Sequence, residues 1–301
     1  MTERGATVCL TFDFDAISLW AARGMMTPGP VSRGEFGAFA IPRILRLLDT
    51  YEVPSTFFIP GHSLETYPAE CRAIHEAGHE IAIHGYMHEP VSTLDREAER
   101  AVLHRASALI EDLTGAPPVG HRTPSFDFTE YTVELLQEAG IEYDSSLMGT
   151  DSVPYLARTG DRHDPDGPFV FGQASRIVEL PVSWTLDDYP HLEFVRNGTT
   201  VMPGLQDPHA MFARFLGDVR YMVRYTEGGV LTVTLHPQVI GRGDRMLALE
   251  EFITGCLDLG VTFERCDEAA RRHRTELESA DLPTAPAADP RQPGPLPDLS
   301  G

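Results

Sequence analysis

Short apolar, β-branched segments alternate with helical segments along most of this 301-residue chain. Repeated strand–helix units predict a parallel sheet that is covered by helices. About seven or eight such units in roughly 270 residues fit a closed or nearly closed β/α barrel. A doubly wound open sheet is the alternative that this pattern leaves open.

Chemically active side chains stand at the ends of several different strand segments, which favours the barrel. Asp13 and Asp15 end the first segment, His84 and His88 follow another, and His236 ends a third. The carboxyl ends of barrel strands converge on one face, whereas an open sheet usually concentrates its site at one switch point. The barrel therefore brings these five side chains together.

The five side chains suit metal-assisted hydrolysis. One Asp and two His are enough to hold a divalent metal and to leave a position open for water. Asp13 and Asp15 face the same side of an extended strand, and two buried acids are costly unless a cation neutralises one of them. The second Asp and the third His can serve as base and acid. Taken alone, the His pair could equally lie on the surface, and the acids could be helix caps or solvated loop residues.

Composition narrows the class of partner. The chain has 24 Lys plus Arg against 45 Asp plus Glu, a net charge of −21, which argues against binding nucleic acid or an anionic membrane. It contains no apolar stretch of membrane-spanning length and no signal-peptide pattern, so we expect a cytoplasmic protein. The four cysteines show no zinc-type spacing, and we expect free thiols.

Three regions depart from the strand–helix pattern. Residues 148–173 and 184–207 are expected to be long loops, which often build substrate sites on a rigid scaffold. The Pro- and Ala-rich residues 279–301 predict a flexible tail. We therefore expect one catalytic domain over residues 1–278, followed by this tail.

Four motifs occur in a specific order: Thr-Phe-Asp-Phe-Asp (11–15), His-Gly-Tyr-Met-His (84–88), Arg-Thr-Pro (122–124) and Leu-His-Pro (235–237). As a set they resemble the polysaccharide deacetylase family, the NodB-type carbohydrate esterases. The resemblance spans residues 7–263 and implies a distorted (β/α) barrel of about seven parallel strands. It also implies a divalent metal, usually zinc, bound by Asp15, His84 and His88.

The same resemblance implies roles for the remaining polar residues. Asp13 would be the base, and Arg122 would keep it ionised and oriented. His236 would be the general acid that protonates the leaving nitrogen. An Asp in the segment 182–190 would orient that imidazole, and we expect Asp187 rather than Asp188.

Four further side chains are candidates for substrate contact: Glu35, Phe126, Trp184 and Tyr189. The three aromatic residues could form an apolar wall over a substrate, or they could belong to the core. Glu35 could line the site, or it could be a solvated loop acid.

Two departures from the usual family motifs point to one branch of the family. Phe14 separates two acids that are normally adjacent, and Gly85 stands where Ser or Thr normally follows the first His. With the segment His-Pro-Gln-Val-Ile-Gly-Arg (236–242), these departures resemble the branch that contains peptidoglycan-deacetylase-like proteins, allantoinases and cyclic imide hydrolases. Members of that branch tend to be cytoplasmic tetramers, which implies a homo-oligomer here.

These observations predict a metal-dependent hydrolase of non-peptide carbon–nitrogen bonds. The substrate that we favour is a small cyclic imide, amide or ureide, because no export signal is present and two loops can close over a pocket. The alternative is N-deacetylation of an amino-sugar polymer or peptidoglycan. A non-catalytic sugar-binding barrel is a third possibility, against which the full set of acid, base and metal ligands argues.

Overall fold

Strands and helices alternate through residues 5–279, the part of the chain that the computed structural model describes. The strands are β1 (Thr7–Asp13), β2 (Thr56–Ile59), β3 (Glu80–Ile83), β4 (Gly120–His121), β5 (Tyr143–Asp144), β6 (Tyr155–Thr159), β7 (Gln173–Glu179), β8 (Phe194–Asn197), β9 (Thr200–Pro203), β10 (Val230–Leu235) and β11 (Thr262–Phe263). All of the predicted tail except its first residue lies outside the described residues.

The helices cover this sheet. They are α1 (Ser18–Ala22), α2 (Pro28–Thr50), α3 (Gly61–Thr66), α4 (Pro68–Glu76), α5 (Arg96–Thr114), α6 (Thr132–Glu138), α7 (Asp188–Leu192), α8 (Pro208–Tyr225), α9 (Pro237–Ile240), α10 (Gly243–Asp258) and α11 (Cys266–Ser279). No helix within residues 5–279 is long and apolar enough to cross a membrane.

Nine strands form one curved sheet in the order β10-β1-β2-β3-β4-β5-β7-β6, with β11 beside β1. The strands from β10 to β7 in this order are parallel to their neighbours, and β6 is antiparallel to β7. A single parallel bridge between Asp187 and Thr234 links the chain after β7 to β10. The sheet therefore curls into the predicted distorted (β/α) barrel, with its carboxyl ends at one face.

Alternation along β1 separates the core into two layers. Val8, Leu10 and Phe12 face the covering helices and belong to the larger apolar cluster. Cys9 belongs to a smaller cluster inside the barrel, which α11 closes through Cys266 and other small residues. Because side chains of a strand alternate, Thr11 and Asp13 share the inward face with Cys9. The strand therefore aims its last carboxylate into the barrel.

Two segments expected to be loops contain regular structure. Residues 148–173 include β6, which hydrogen-bonds to β7 as an antiparallel edge strand. Residues 184–207 include α7 and the hairpin of β8 and β9. The expectation of irregular loops was wrong because Gly, Pro and Asp mark turns but do not reveal which neighbouring strand can take up the intervening backbone. The four cysteines are buried free thiols, as predicted.

Candidate active site

The end of β1 delivers both acids to the carboxyl face of the barrel. Asp13 is the last residue of the strand, and it is buried. The N–H of Phe14 donates to the carbonyl of Phe58 at 2.9 Å, so the extended pairing continues one residue further. Asp15 is fully buried two residues after Asp13, and both carboxylates approach the Nε2 atom of His84, at 3.7 and 3.4 Å.

A tight turn immediately after Asp15 holds its backbone. The carbonyl of Asp15 accepts hydrogen bonds from the hydroxyls of Ser18 and Ser63, at 2.6 and 2.7 Å. Ala16 adopts a φ of 49°, which is uncommon for a residue with a side chain. Helix α2 packs against this turn at Gly34, where an added Cβ would lie 2.8 Å from the backbone of Ala16. Helix α2 can therefore pack this closely against the turn only because residue 34 is glycine.

The two histidines come from a tight loop after β3. Gly85 has a φ of 65° and His88 a φ of 57°, so the segment is not helical. The carboxylate of Glu89 accepts hydrogen bonds from two backbone N–H groups of this loop, at 3.0 and 2.8 Å. The Nδ1 atom of His84 lies 2.9 Å from the carbonyl of Arg122. Since a carbonyl only accepts, Nδ1 carries the proton and Nε2 presents its lone pair to the acids.

Asp15, His84 and His88 fit a divalent cation. Their candidate ligand atoms all lie within 4.8 Å of one another. Oδ1 of Asp15 and Nε2 of His84 are buried and have no hydrogen-bond partner. Burial lowers the pKa of His84 to about 4 and holds the pKa of His88 well below its ordinary value. Two neutral imidazoles and a carboxylate with free lone pairs form a donor set typical of a catalytic metal site.

Arg122 holds Asp13 in place. Its guanidinium is fully buried, and Nη1 donates to Oδ1 of Asp13 at 2.7 Å and to the hydroxyl of Thr11 at 2.8 Å. Nε and Nη2 donate to the carbonyl and hydroxyl of Ser145, both at 2.9 Å. Burial alone would raise the pKa of Asp13, but Arg122, followed by His84, brings it below the ordinary value. Asp13 is therefore ionised at neutral pH.

His236 faces the acids from the end of β10, and Asp188 makes its hydrogen bonds. Nδ1 of His236 lies 2.8 Å from Oδ1 of Asp188, and the backbone N–H of His236 donates to Oδ2 at 3.1 Å. Asp187, which the sequence interpretation favoured, lies 3.7 Å from Nδ1. Its carboxylate instead accepts from the N–H of Tyr189 at 2.7 Å and caps α7. The two adjacent acids differ because only Asp187 is at the helix N-cap.

The charges around His236 favour its protonated form. Burial opposes protonation, but Asp187 and Asp188 together raise the pKa of His236 well above its ordinary value. Burial raises the pKa of Asp187 to about 7. The arrangement therefore supplies an ionised carboxylate, Asp13, and an imidazolium, His236, at the same face of the barrel.

These side chains meet in a cavity of about 150 Å³. Three of the four predicted substrate contacts line it: Phe126, Trp184 and Tyr189. Phe126 and Trp184 pack with ring centroids 4.8 Å apart, and the ring of Tyr189 lies 5.2 Å from that of His236. Glu35 does not line the cavity, because it lies on an exposed face of α2.

The two segments that were expected to cover the site behave differently. Residues 184–207 line the cavity through Trp184, Asp187, Tyr189, Pro190 and Met202. Residues 148–173 contribute none of the lining, and they border a separate groove beside α6. Only one of the two segments therefore covers the site.

Sequence reasoning missed several residues of the site. Arg23 lines the cavity from the end of α1, and its Nη1 donates to the hydroxyl of Tyr189 at 2.7 Å. Gln238 approaches Oδ2 of Asp15 through its side-chain amide at 3.4 Å. Gln238 follows His236 by two residues, so its position in that motif is a usable signal. Arg23 has no local signal, because it lies outside every motif.

Comparison with known proteins identifies the family. The family model described as polysaccharide deacetylase matches residues 2–143. A peptidoglycan deacetylase of Helicobacter pylori is 35% identical over 254 residues, which cover 80% of this chain and 86% of that protein. The chain belongs to the polysaccharide deacetylase family.

Solved structures agree with this family assignment. A structure from Mycobacterium smegmatis described as a polysaccharide deacetylase has a TM-score of 0.79 and 34% identity, and the match covers 91% of this chain and 92% of that one. An allantoinase structure shares the fold, with a TM-score of 0.73 at 21% identity over 92% of this chain and 93% of that one. The predicted family, fold and enzyme class are confirmed: this deacetylase-family protein is a carbon–nitrogen hydrolase of a metal-dependent family.

Proposed function

We propose that this deacetylase-family enzyme hydrolyses a small cyclic imide, amide or ureide. The observation that carries the proposal is the size of the cavity, about 150 Å³. That volume is well below the roughly 300–1,000 Å³ of the pockets that hold drug-sized ligands. A single planar ring is a better match for this space than a sugar polymer.

The walls of the cavity support a planar substrate. Phe126 and Trp184 form one side, and Tyr189 lies beside His236. Aromatic rings favour flat partners that stack or pack edge to face. Trp184 is 46% exposed, so it stands at the mouth, where it can cover a bound ring and reduce the access of water.

The proposed metal is zinc, held by Asp15, His84 and His88. When bound there, it would supply Lewis-acid chemistry, polarising an acyl oxygen and making water more acidic. His and carboxylate ligands that leave one position open are typical of catalytic zinc. Gln238 donates to Asp15 and would help to fix the orientation of that carboxylate.

Proton transfers are assigned to residues of the chain itself. Asp13, ionised and oriented by Arg122, would take a proton from the attacking water. His236, held by Asp188 in its protonated form, would deliver a proton to the leaving nitrogen as the carbon–nitrogen bond breaks. Positioned acids and bases of this kind each contribute about 10² to 10⁴ in rate.

N-deacetylation of peptidoglycan or an amino-sugar polymer is the second candidate. It is supported by the 35% identity to the Helicobacter pylori peptidoglycan deacetylase. The chemistry is the same, because an acetamide and a cyclic imide both present an acyl carbon bonded to nitrogen. A cytoplasmic location, a homotetramer and a separate tail at residues 279–301 stay predictions.

The two candidates are separated by comparing kcat/KM for the zinc-loaded full chain. The substrates are succinimide and hydantoin on one side, and N-acetylglucosamine oligomers and intact peptidoglycan on the other. We expect ring opening to be faster. Efficient release of acetate from the oligomers, with no ring opening, would establish the second candidate instead.

A pair of variants tests the cavity itself. Trp184→Ala removes the aromatic side chain at the mouth and should lower kcat/KM for rings. Phe169→Ala is the matched control, because Phe169 is similarly exposed, at 48%, but does not line the cavity. Equal effects of the two substitutions would contradict the proposed binding position.

A further inference from the structure

Arg23 brings a positive charge to the cavity mouth that neither the metal site nor the proton transfers use. It is the one Lys or Arg side chain that lines the cavity within residues 5–279. It caps the C-terminal end of α1, and it is exposed. The lining also contains the acids Asp13, Asp15 and Asp187 and the histidines His84, His88 and His236, of which His236 favours its protonated form.

The guanidinium of Arg23 is held in position, although few of its N–H groups make hydrogen bonds. Nη1 donates to the hydroxyl of Tyr189 at 2.7 Å, and the guanidinium carbon lies 5.4 Å from that ring and 5.9 Å from the ring of Trp20. In the described part of the chain no carboxylate lies within ion-pair distance of Arg23, whereas the nearby Arg33 is paired with Glu193. A guanidinium has five N–H donors in a planar fork, and among the described residues only Nη1 of Arg23 has a hydrogen-bond acceptor, the hydroxyl of Tyr189.

Tyr189 connects Arg23 to His236, the residue that would act on the leaving nitrogen. Tyr189 separates it from His236, and the rings of Tyr189 and His236 lie 5.2 Å apart. His236 is the residue to which we assign protonation of the leaving nitrogen. A substrate group bound by Arg23 would therefore lie beside Tyr189, the residue whose ring also packs near His236.

We propose that Arg23 binds a carboxylate on the substrate and selects anionic amides or imides over neutral ones. The proposal rests on the proposed function and narrows its substrate class to small rings that carry a carboxylate near the leaving nitrogen. Arginine matches a carboxylate through two parallel charge-assisted hydrogen bonds. The charge of Arg23 would also offset the acids that line the cavity when such a substrate enters.

The test uses substrate pairs that differ only in a carboxylate. One pair is hydantoin-5-acetic acid and its primary amide. The other pair is an N-acetylmuramic acid glycoside and the same compound with its lactyl carboxylate converted to an amide. For each pair, the ratio of kcat/KM for the acid to that for the amide is measured in the full-length enzyme. We expect Arg23→Gln to lower this ratio by about 10- to 100-fold, the range for hydrogen bonds to a charged group.

Two further variants and a salt titration accompany Arg23→Gln. Arg72→Gln replaces an exposed arginine on α4, away from the cavity, and should leave the ratio unchanged. Arg23→Lys keeps the charge but loses the fork, and it should restore part of the ratio. Raising the salt concentration should lower the ratio of the wild-type enzyme towards that of Arg23→Gln.

The outcomes separate this proposal from the proposed function. If the wild-type enzyme opens the rings but Arg23→Gln leaves the ratio unchanged, the role of Arg23 is wrong and ring hydrolysis stands. If no ring is opened, the proposed function fails, and the muramic acid pair alone decides the role of Arg23. If Arg23→Gln slows acid and amide equally in whichever pair reacts, Arg23 has only a structural role.

Discussion

Replacing Asp188 by Asn should slow the enzyme mainly through His236. The carboxylate makes two hydrogen bonds with that residue, to Nδ1 at 2.8 Å and from the backbone N–H at 3.1 Å. Asn has the same shape but no charge. When its oxygen accepts from Nδ1, its NH₂ group faces the backbone N–H of His236, donor against donor. The variant thus loses the charge and one of the two hydrogen bonds.

The size of the effect follows from these contacts. A hydrogen bond to a charged group contributes about 1.5–3 kcal/mol, more than a neutral one. The same energy corresponds to about 10- to 100-fold in kcat if the oriented imidazolium acts in the rate-limiting step. Loss of the carboxylate charge should also lower the pKa of His236. Because Asp187 and Asp188 raise that pKa in the native protein, the basic limb of the rate profile should move to lower pH.

Asp187→Asn is the matched control, measured at pH 6. Asp187 also raises the pKa of His236, but its carboxylate lies 3.7 Å from Nδ1 and makes no hydrogen bond to it, so this substitution removes a nearby charge and no hydrogen bond to the imidazole. The substitution also leaves both hydrogen bonds between Asp188 and His236 intact. We therefore expect kcat to fall further in Asp188→Asn than in Asp187→Asn, with far-UV circular dichroism confirming that both fold. The reverse order would refute the reasoning and return the orienting role to Asp187.

Three further predictions concern the metal ligand His88, the base Asp13 and the stability of the protein at acid pH. His88→Ala should lower the metal content below about one per chain without loss of secondary structure, and full occupancy by elemental analysis would reject this ligand. Asp13→Asn should keep its metal but lose about 10²- to 10⁴-fold in kcat, so near-normal turnover would remove Asp13 as the base. Burial lowers the pKa of His79 to about 4, so the unfolded chain binds more protons between pH 6.5 and 4. The free energy of unfolding should therefore decrease as the pH is lowered from 6.5 to 4, by up to about 3 kcal/mol. Urea titrations should show a smaller fall in His79→Gln, and identical pH dependence would contradict this assignment.

Much of the site was predictable because its residues follow strands. The parallel pattern implies a common carboxyl face wherever each strand lies in the sheet. Asp13, Asp15, His84, His88 and His236 therefore converge without any knowledge of the loops. Their order along the chain also sufficed to predict the family, which the comparisons confirmed.

Other features of the site depend on the direction in which particular side chains point. The neighbouring residues in the sequence do not reveal that direction. Asp187 and Asp188 are adjacent and chemically identical, and only the start of α7 decides which of them caps the helix and which reaches His236. Glu35 was a reasonable candidate until α2 placed it on an exposed face. Such choices are made by helix position and packing, which residue type alone does not reveal.

The sequence by itself was enough to predict the chemistry: strand–helix alternation predicts a barrel, and acids and imidazoles after its strands predict a hydrolytic metal site. Only the tertiary structure decided the volume and charge of the cavity. Tyr189 and Arg23 are 166 positions apart in the chain, and no local pattern connects them. Their contact exists because α1 and α7 pack at the same barrel face, and long-range packing of this kind depends on the whole set of side chains that fill the core.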